Sequence, residues 1–501
     1  MSDTPSAQFL KRVLFAGGAS VALLAGAIAA QTLPPNPAQA QQIAPQAVSP
    51  PAGAPGSFAD LIQRVRPAVV SIQVRQRPST RNPMFEGLPP GYEDFFRGPG
   101  RNPQQSPTAL GSGFFIDQNG TIVTNHHVVA DAEEITIRTS DGRDLTATVV
   151  GSDEPTDIAV LRVEGGGRFP FVTLDRGTDL RVGDWVVAVG NPFGLDGTAT
   201  AGIVSAMGRR DFGGSAYVDF LQIDAPINRG NSGGPTFDLR GRVIGVNSAI
   251  FSPTGGNVGI GFAIPSNTAA RVVEQLLASG RVTRGWLGVQ VQPLDDDIAR
   301  SLGLSEAQGA LVASVVPNGP AASAGIQQGD VILTFEGQNI ADSRQLTQRV
   351  GDATIGRPAR IELLRAGQRR TLNVRLQERP SEQVLASANQ PQATPQPANP
   401  NVTQGALGLA VRPMTDQDRQ RLQLAANANG VVILTVAPNS DLARRGVRAG
   451  DVILSAGGRP IRTAQDLSAA ADQARRQGRP LLLQLDGRAG PRFIAADTSQ
   501  G

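Results

Sequence analysis

The sequence contains no cysteine and only two histidines, His126 and His127, among its 501 residues. The absence of cysteine excludes disulfides, thiolate metal sites and cysteine nucleophiles. With two histidines in the whole chain, a histidine-based metal site is also disfavoured, and we predict no bound metal. Any acid–base chemistry near neutral pH falls on one of these histidines or on a carboxylate with a shifted pKa.

Aromatic residues make up 4% of the chain, so its hydrophobic cores must be built from Val, Ile, Leu and Ala. There is no long basic run, because arginines are scattered among acidic residues, and the formal net charge is +3. Nucleic acid is therefore not a predicted partner. The sequence also has no Walker-type phosphate loop, and no cofactor is predicted.

The N-terminal segment has the order of features expected for an exported protein. Lys11 and Arg12 precede an uncharged apolar stretch at 13–30, and Ala38-Gln39-Ala40 has the small-x-small form of a cleavage site. This predicts a signal peptide at residues 1–40 and a mature chain outside the cytoplasm, with no later membrane span. The alternative is an uncleaved membrane anchor, since the stretch approaches spanning length. Its many Gly and Ala residues favour export with cleavage.

Short β-type runs follow one another between residues 109 and 265, for example "TIVTN", "DIAVLRV", "DWVVAVG" and "RVIGVNSAI". Gly, Asp, Asn and Pro separate these runs, and no long helix intervenes. The pattern predicts a mostly β domain, either an antiparallel barrel or a sandwich. Residues 266–280 then have apolar positions every three to four residues and end at a glycine, which predicts a helix.

An internal repeat occupies the C-terminal part of the chain. "SVVPNGPAASAGIQQGDVIL" at 314–333 matches "TVAPNSDLARRGVRAGDVIL" at 435–454, and "GWLGV" at Gly285 matches "GALGL" at Gly405. A segment rich in Gln, Pro, Ala and Asn, residues 382–404, separates the two copies. Two copies joined by a linker predict tandem independent modules rather than a solenoid.

The stretch "INRGNSGGP", residues 227–235, raises the question of a serine nucleophile. Hydrolysis by serine needs a base, a carboxylate that orients the base, and N–H donors for the oxyanion. Glycines on both sides of Ser232 let successive amides converge on an anion. The backbone N–H groups of Gly230, Asn231 and Ser232 are therefore candidate oxyanion donors.

Few residues of the chain can serve as the base and the orienting carboxylate. The two histidines stand together at a strand end, and Asp157 begins the apolar run "DIAVLRV", where a carboxylate can face a histidine. Each feature alone has an ordinary structural explanation. "GNSGG" is typical of a hairpin turn, a histidine at a strand end is often structural, and an aspartate at a strand start is often a cap. Their order His, Asp, Ser within one β-rich domain favours catalysis. Four other aspartates lie in polar turns that suit solvated or capping roles: Asp131, Asp141, Asp144 and Asp153.

Five longer stretches carry a family resemblance: "GSGFFIDQNGTIVTNHHVV", "TDIAVLRV", "VGNPFGLDGTATAGIVSA", "DAPINRGNSGGPTFDLRGRVIGVNSAI" and "GIGFAIPSN". They resemble the HtrA/Deg family of trypsin-like serine proteases followed by PDZ domains, and the repeat is similar to Do-type periplasmic members with two PDZ domains. The resemblance extends from residue 57 to about residue 492. It implies a chymotrypsin-type double six-stranded β-barrel with the active site between the barrels.

The resemblance implies a catalytic triad of His127, Asp157 and Ser232. The family's "NHV" histidine corresponds to His127, because two valines follow it, and the preceding His126 stands where family members usually have another residue. The doubled histidine leaves His126 as the alternative base.

In such barrels the primary specificity pocket is lined by the segment before the serine and by the strand after it. Here these positions are Ile227, Asn247 and Ile250. Ala225, Pro226 and Ile227, and no aspartate, occupy the positions before Ser232 that would bind a basic side chain, so we predict a preference for small or medium aliphatic residues at the cleaved position.

PDZ-type modules add an extended peptide to a sheet edge and hold its terminal carboxylate with a glycine-containing loop. Trp286, Leu287, Gly288 and Val289 resemble that loop in the first repeat, and "ALGL" at 406–409 resembles it in the second. The alternative for the second copy is a strand start with a bulge glycine. Its side chains are smaller, and the family's second domain often serves assembly more than peptide capture.

Residues 75–108 form a long Pro/Gly/Arg-rich segment at the place of the family's regulatory loop. Its aromatic residues suit an anchor at a subunit interface, with a disordered surface loop as the alternative. These residues are Phe85, Tyr92, Phe95 and Phe96. The resemblance further implies homotrimers or larger multiples of trimers.

The function implied is an ATP-independent periplasmic serine endoprotease that degrades misfolded exported proteins. Its partners would be unfolded polypeptides and exposed C-terminal peptides. The alternative is a periplasmic chaperone or PDZ scaffold in which proteolysis is dispensable. The predicted organisation is a signal peptide at 1–40, a flexible linker at 41–56, a protease domain at 57–280, a first PDZ domain at 281–381, a linker at 382–404 and a second PDZ domain at 405–498.

Overall fold

A computed structural model describes residues 56–76, 108–177, 179–191, 197–210, 215–228, 230–252, 256–380, 403–422, 424, 428–487 and 489–498. The predicted signal peptide lies outside these residues, as do nearly all of both predicted linkers and the aromatic positions Phe85, Tyr92, Phe95 and Phe96. Within the described part of the chain, no helix has the length and apolar character needed to cross a membrane.

Six antiparallel strands close a first barrel in the order β1-β2-β3-β6-β5-β4. β-branched residues dominate these strands and fill the interior at alternate positions, as Val70, Ile72 and Val74 of β1 do. The strands are β1 Val69–Gln76, β2 Thr108–Phe115, β3 Thr121–Thr124, β4 Ala132–Arg138, β5 Asp144–Asp153 and β6 Ile158–Val163.

A second barrel follows, with six antiparallel strands in the order β10-β11-β12-β9-β8-β7. Its interior is built from Ile, Val and Ala, in line with the low aromatic content. The strands are β7 Trp185–Gly190, β8 Thr198–Arg209, β9 Phe220–Ile223, β10 Pro235–Phe237, β11 Val243–Ile250 and β12 Gly261–Pro265.

The two barrels share one hydrophobic core. Phe114 and Ile158 of the first barrel belong to the same buried cluster as Phe237 and Val246 of the second. The helix Ser266–Ser279 covers this cluster and packs on β5, β6 and β11. The remaining helical segments of this part are short: Ala59–Val65, Arg66–Ala68, His126–Val129 and Glu154–Thr156. The helix Ser266–Ser279 therefore contacts strands of both barrels at their shared core.

The first repeat forms a sheet of order β14-β15-β16-β18-β19, in which β17 pairs with β16, and a small sheet of β13 and β20. Its helices are Asp296–Ser301, Pro320–Ser323 and Ser343–Asp352. The strands are β13 Gly285–Trp286, β14 Val289–Pro293, β15 Ala310–Val315, β16 Val331–Phe335, β17 Gln338–Asn339, β18 Pro358–Arg365, β19 Gln368–Arg375 and β20 Gln377–Glu378.

The second repeat has the same core sheet, ordered β22-β23-β24-β26-β27, with β25 on β24, and an additional strand, β21, on the outer edge of β22. Its helical segments are Ala406–Gly408, Asp416–Arg421, Asp441–Arg444 and Ala464–Arg476. The strands are β21 Thr403–Gly405, β22 Leu409–Pro413, β23 Val431–Val436, β24 Val452–Ala456, β25 Arg459–Pro460, β26 Leu481–Asp486 and β27 Arg492–Ala496.

The mostly β fold class is confirmed, with the open choice between barrel and sandwich resolved as two closed barrels. Three strands reach into segments predicted as loop or linker. The strand β1 continues to Gln76 and β2 begins at Thr108, both inside residues 75–108, and β21 begins at Thr403, inside residues 382–404. The residues in these overlaps are mostly polar and carry no hydrophobic alternation from which a strand could be predicted.

Candidate active site

The histidine pair lies at the end of β3, on the short helix His126–Val129. The two side chains diverge. His127 Nδ1 lies 2.9 Å from both carboxylate oxygens of Asp157, while His126 Nδ1 lies 3.1 Å from Ser152 Oγ. The His127 backbone N–H also donates to Asp157 Oδ1 at 3.0 Å. A carboxylate only accepts, so Nδ1 of His127 carries the proton in this contact.

Asp157 is held in an unusual backbone conformation. It follows the single turn Glu154–Thr156 and has φ 57° and ψ 38°, the left-handed region that costs a non-glycine residue free energy. Two contacts fix the turn: Asp153 Oδ2 accepts the Thr156 N–H at 3.1 Å, and the Asp157 carbonyl oxygen accepts Asn125 Nδ2 at 2.9 Å. In this conformation the carboxylate lies within hydrogen-bond distance of His127.

The pKa of the Asp157 carboxyl group is lowered. Burial opposes its ionisation, but the charge of His127, the hydrogen bonds from His127 and the hydroxyl of Ser248 together favour the carboxylate more strongly. Asp157 is therefore ionised at neutral pH.

Ser248, in β11 of the second barrel, joins Asp157 to Ser232. Its hydroxyl donates to Asp157 Oδ2 at 2.8 Å, and its carbonyl oxygen accepts the Ser232 hydroxyl at 3.2 Å. Ser232 is itself buried, with 4% of its surface exposed. The residues predicted separately as His, Asp and Ser thus belong to one connected cluster that spans both barrels.

The turn around Ser232 depends on glycine. Gly230 and Gly233 have φ of 93° and 83°. A Cβ at Gly233 would lie 2.3 Å from Ser112 O and from Thr124 Oγ1, so no larger residue fits. The Asn231 N–H donates to Asn228 O at 3.0 Å, which uses this predicted oxyanion donor within the turn. Among the described residues, the amides of Gly230 and Ser232 have no hydrogen-bond acceptor.

Ser112 of β2 anchors this turn to the first barrel. Its backbone N–H donates to Ser232 O at 2.8 Å, and its hydroxyl donates to Gly230 O while accepting the Asn191 N–H at 2.8 Å. Neither Ser112 nor Ser248 was identified from the sequence. Both stand inside the quoted family stretches, but serine in a strand gives no sign of its partners.

The three residues predicted for the specificity pocket occupy the second barrel. Ile227 and Ile250 are completely buried in one apolar cluster with Ile223 and Ile244. Asn247 supports the serine turn instead: its backbone N–H and C=O pair with Gly234 and Gly233, and its Oδ1 accepts the Thr236 hydroxyl. The two isoleucines are therefore part of the closed interior of the second barrel, and the asparagine belongs to the support of the serine turn.

The predicted peptide loop of the first repeat precedes the edge strand β14. Leu287 is buried and its carbonyl oxygen accepts the Ala321 N–H at 2.9 Å, while Gly288 has φ 76°. Trp286 packs over Gly288 and is half-buried. The loop is therefore fixed by backbone hydrogen bonds beside the outer edge of β14.

A buried ion pair connects the first repeat to the active-site turn. Arg284 donates from both terminal nitrogens to the two carboxylate oxygens of Asp153, at 2.7 and 2.6 Å, and its guanidinium lies 4.4 Å from the ring centre of Tyr217. The two side chains of the pair are 11% and 6% exposed. Asp153, predicted to have a capping or solvated role, therefore caps the turn before Asp157 and also holds the neighbouring domain.

The other aspartates from turns do not contact His127. Asp141 pairs with Arg143 and Thr139, and Asp144 pairs with Arg138, all at the surface of the first barrel. Asp131 has a left-handed backbone, with φ 57°, in the turn before β4. The histidine and aspartate that the sequence ranked first are thus the ones in mutual contact.

Comparison with known proteins agrees with this architecture. Residues 111–246 match the family described as "Trypsin-like peptidase domain", and residues 285–376 and 405–486 each match "PDZ domain". A probable periplasmic serine endoprotease DegP-like of Brucella suis biovar 1 (strain 1330) is 44% identical, over 90% of this chain and 91% of that protein. The protein of the same description from Rhizobium meliloti (strain 1021) is 41% identical, over 98% and 100% of the two chains.

Solved structures agree with this result over part of the chain. The structure "HtrA-type protease AlgW with decapeptide" aligns with a TM-score of 0.55 and 40% identity, covering 65% of this chain and 99% of that chain. The tripeptide complex of the same protease aligns with a TM-score of 0.56 at 39% identity, over 65% and 99%.

The double barrel, the clustered His, Asp and Ser residues and the two PDZ domains define a trypsin-like serine endopeptidase with peptide-binding modules. At this level of identity over nearly the whole length, the chain belongs to the family of DegP-like serine endoproteases of the HtrA type. The comparisons support proteolysis over the alternative of a scaffold with dispensable protease activity.

Proposed function

We propose that Ser232, His127 and Asp157 form the catalytic triad of this endoprotease. The observation that carries the proposal is the continuous chain of contacts from His127 through Asp157 and Ser248 to Ser232. In this assignment Asp157 orients His127 and stabilises its protonated form, His127 is the base and then the acid, and Ser232 is the nucleophile. His126 is not assigned a catalytic role, because its ring contacts Ser152 instead of a carboxylate.

The reaction begins when the Ser232 hydroxyl leaves the Ser248 carbonyl and turns to His127 Nε2. Its oxygen attacks the scissile carbonyl carbon while the proton passes to Nε2. The tetrahedral intermediate collapses to an acyl-enzyme, and the leaving amine takes the proton from His127. Water then attacks the ester by the same route and regenerates Ser232. No metal or organic cofactor enters these steps.

The oxyanion is assigned to the backbone N–H groups of Gly230 and Ser232. Both amides are without an acceptor among the described residues, whereas the Asn231 N–H is engaged within the turn. Donors fixed in advance by a glycine turn stabilise the developing charge without reorganisation. A preference for small or medium aliphatic residues at the cleaved position is proposed from the family resemblance and from the uncharged residues Ala225, Pro226 and Ile227 shortly before Ser232.

The substrates we assign are unfolded or misfolded exported proteins in the periplasm, degraded without ATP. The relatives described as periplasmic endoproteases support this location, and the signal-peptide pattern at 1–40 supports export. The loop Trp286, Leu287, Gly288 and Val289 would hold exposed C-terminal peptides. Homotrimers, or multiples of trimers, are proposed from the family resemblance, and sedimentation with and without unfolded casein would measure the assembly.

The test compares wild type with Ser232→Ala. Wild type should cleave unfolded casein and react with a fluorophosphonate probe, whereas Ser232→Ala should do neither. The variant should still suppress aggregation of an unfolded protein if peptide binding is separate from hydrolysis. If wild type neither labels nor cleaves while both proteins suppress aggregation equally, the assignment is wrong.

A further inference from the structure

The two PDZ domains differ at the sheet edge that a peptide would join. In the first domain, β14 is the edge strand and, among the described residues, pairs only with β15. In the second domain, the equivalent β22 lies between β23 and β21. The register of β21 on β22 places Thr403 opposite Val411, Gln404 opposite Ala410 and Gly405 opposite Leu409. The outer edge of β22 is therefore already paired with the chain's own backbone.

The strand β21 lies where a bound peptide would lie. A PDZ ligand runs antiparallel to this edge with its last residue beside the glycine loop. β21 is antiparallel to β22, and its last residue, Gly405, directly precedes the loop Ala406–Gly408. It also contacts the helix Ala464–Arg476, the counterpart of Ser343–Asp352 in the first domain. The segment thus occupies the cleft between helix and sheet.

The loop itself has a different backbone in the two domains. Gly288 and Gly408 share a left-handed conformation, with φ of 76° and 70°. Leu407 has φ 71° and ψ 19°, whereas its counterpart Leu287 is not left-handed. A left-handed backbone is unfavourable for leucine, and here it closes the short hairpin between β21 and β22. The carboxylate loop of the second domain is therefore shaped for its own strand.

In the first domain, the segment equivalent to β21 pairs elsewhere and does not lie in the groove beside β14. Gly285 and Trp286 pair with Glu378 and Gln377 in a separate two-stranded sheet. The preceding residue, Arg284, accepts a hydrogen bond from Arg379 N at 2.8 Å and is fixed by its side chain to the protease domain. The entering chain of the first PDZ domain therefore pairs with β20 and does not lie along the β14 edge.

We propose that the peptide groove of the second PDZ domain is closed in cis by its own strand Thr403–Gly405. The chain then has one open peptide site, on the first domain, and one latent site for a C-terminal peptide, which opens when β21 leaves β22. This inference rests on the peptide binding proposed above.

The first test uses the absence of cysteine. In full-length Ser232→Ala, the pair Gln404→Cys and Ala410→Cys introduces the only thiols. Mild oxidation should form an intrachain disulfide, detected as loss of both free thiols by mass spectrometry. The matched control joins Gln404→Cys to Gln290→Cys, the equivalent edge position of the first domain, and should keep free thiols. A 404/410 pair that stays reduced, or forms no faster than the control, would overturn the proposal.

The second test counts peptide sites in the Ser232→Ala chain. The probe is a fluorescein-labelled decapeptide ending in Ala-Leu-Val, and its C-terminal amide is the control. The unmodified chain should bind one carboxylate peptide, and the oxidised 404/410 chain should also bind one. Gln404→Pro, which removes a strand N–H and disfavours the pairing of β21, should raise the number to two. Two sites in the unmodified chain, or no gain with Gln404→Pro, would contradict the closure.

These readouts do not depend on hydrolysis. Both use a chain that lacks the proposed nucleophile, so failure of casein cleavage by wild type would refute the triad and leave the disulfide and the peptide count unchanged. Conversely, an active wild-type protease with an open second groove would refute only the closure.

Discussion

Replacing Ser248 with alanine tests whether the link between Asp157 and Ser232 supports catalysis. The change removes one of the hydrogen-bond donors to the Asp157 carboxylate and leaves those from the His127 backbone and ring. A hydrogen bond to a charged group contributes about 1.5–3 kcal/mol. If the variant loses this whole contribution from the stabilisation of the transition state, kcat/KM falls by roughly 10- to 150-fold, since about 1.4 kcal/mol is a factor of ten.

The change also affects stability in a pH-dependent way. The pKa of Asp157 is lowered in the folded protein, so its carboxylate stabilises the fold above the ordinary carboxyl range and loses this effect as pH falls through the folded pKa. Without the Ser248 hydroxyl the pKa of Asp157 rises toward its ordinary value. The difference in stability between wild type and Ser248→Ala should therefore be largest near neutral pH and shrink below about pH 4.

The assay is the rate of fluorophosphonate labelling of Ser232, together with kcat/KM on a peptide substrate and thermal unfolding from pH 3 to 8. Ser252→Ala is the matched control, because that hydroxyl donates to Gly256 O and does not contact Asp157. Ser248→Thr keeps a donor and should restore much of the rate. If Ser248→Ala labels within twofold of Ser252→Ala, the hydroxyl has no role in orienting Asp157 and the reasoning fails.

Two further predictions concern residues that hold the site. Arg284→Ala removes the counter-charge of the buried Asp153 carboxylate, which among the described residues keeps only its hydrogen bonds from Thr156. It should lower the free energy of unfolding by about 3–5 kcal/mol, and the labelling rate with it. Arg281→Ala breaks an exposed pair and should cost at most about 1 kcal/mol in chemical denaturation, and equal effects would show that the buried pair has no special role. Gly233→Ala should abolish labelling, because the added Cβ would lie 2.3 Å from two oxygens. The control is Gly142→Ala, at a glycine that is also left-handed but has open space around it. That variant should lose roughly 1–2 kcal/mol of unfolding free energy and keep full activity. Activity retained in Gly233→Ala would contradict the geometry of the turn.

The individual strands of the barrels were predictable because they are short, apolar and bounded by turn residues. The runs "DIAVLRV" and "DWVVAVG" correspond to β6 and β7 almost residue for residue. Closure into barrels depends on pairings between distant strands, such as β1 with β4, which no local pattern contains. The double barrel therefore came from the family resemblance and not from periodicity.

The candidate site was partly predictable for a similar reason. The rarity of histidine and the glycines around Ser232 single out residues whose chemistry is distinctive. Ser112 and Ser248 have no such mark, since their roles come from contacts across 91 to 118 positions of sequence. Likewise Thr403 and Gln404 carry no strand pattern, and β21 forms only because the edge of β22 is available to pair.

The location of the cluster across both barrels has a consequence during synthesis of the chain. His127 and Asp157 belong to the first barrel, whereas Ser248 and Ser232 belong to the second, and the Ser232 turn is fixed to Ser112. A ribosome completes the first half well before the second, so a nascent or half-folded molecule lacks an assembled cluster. Under the triad assignment proposed above, such a molecule cannot hydrolyse itself or its neighbours until the two halves have met.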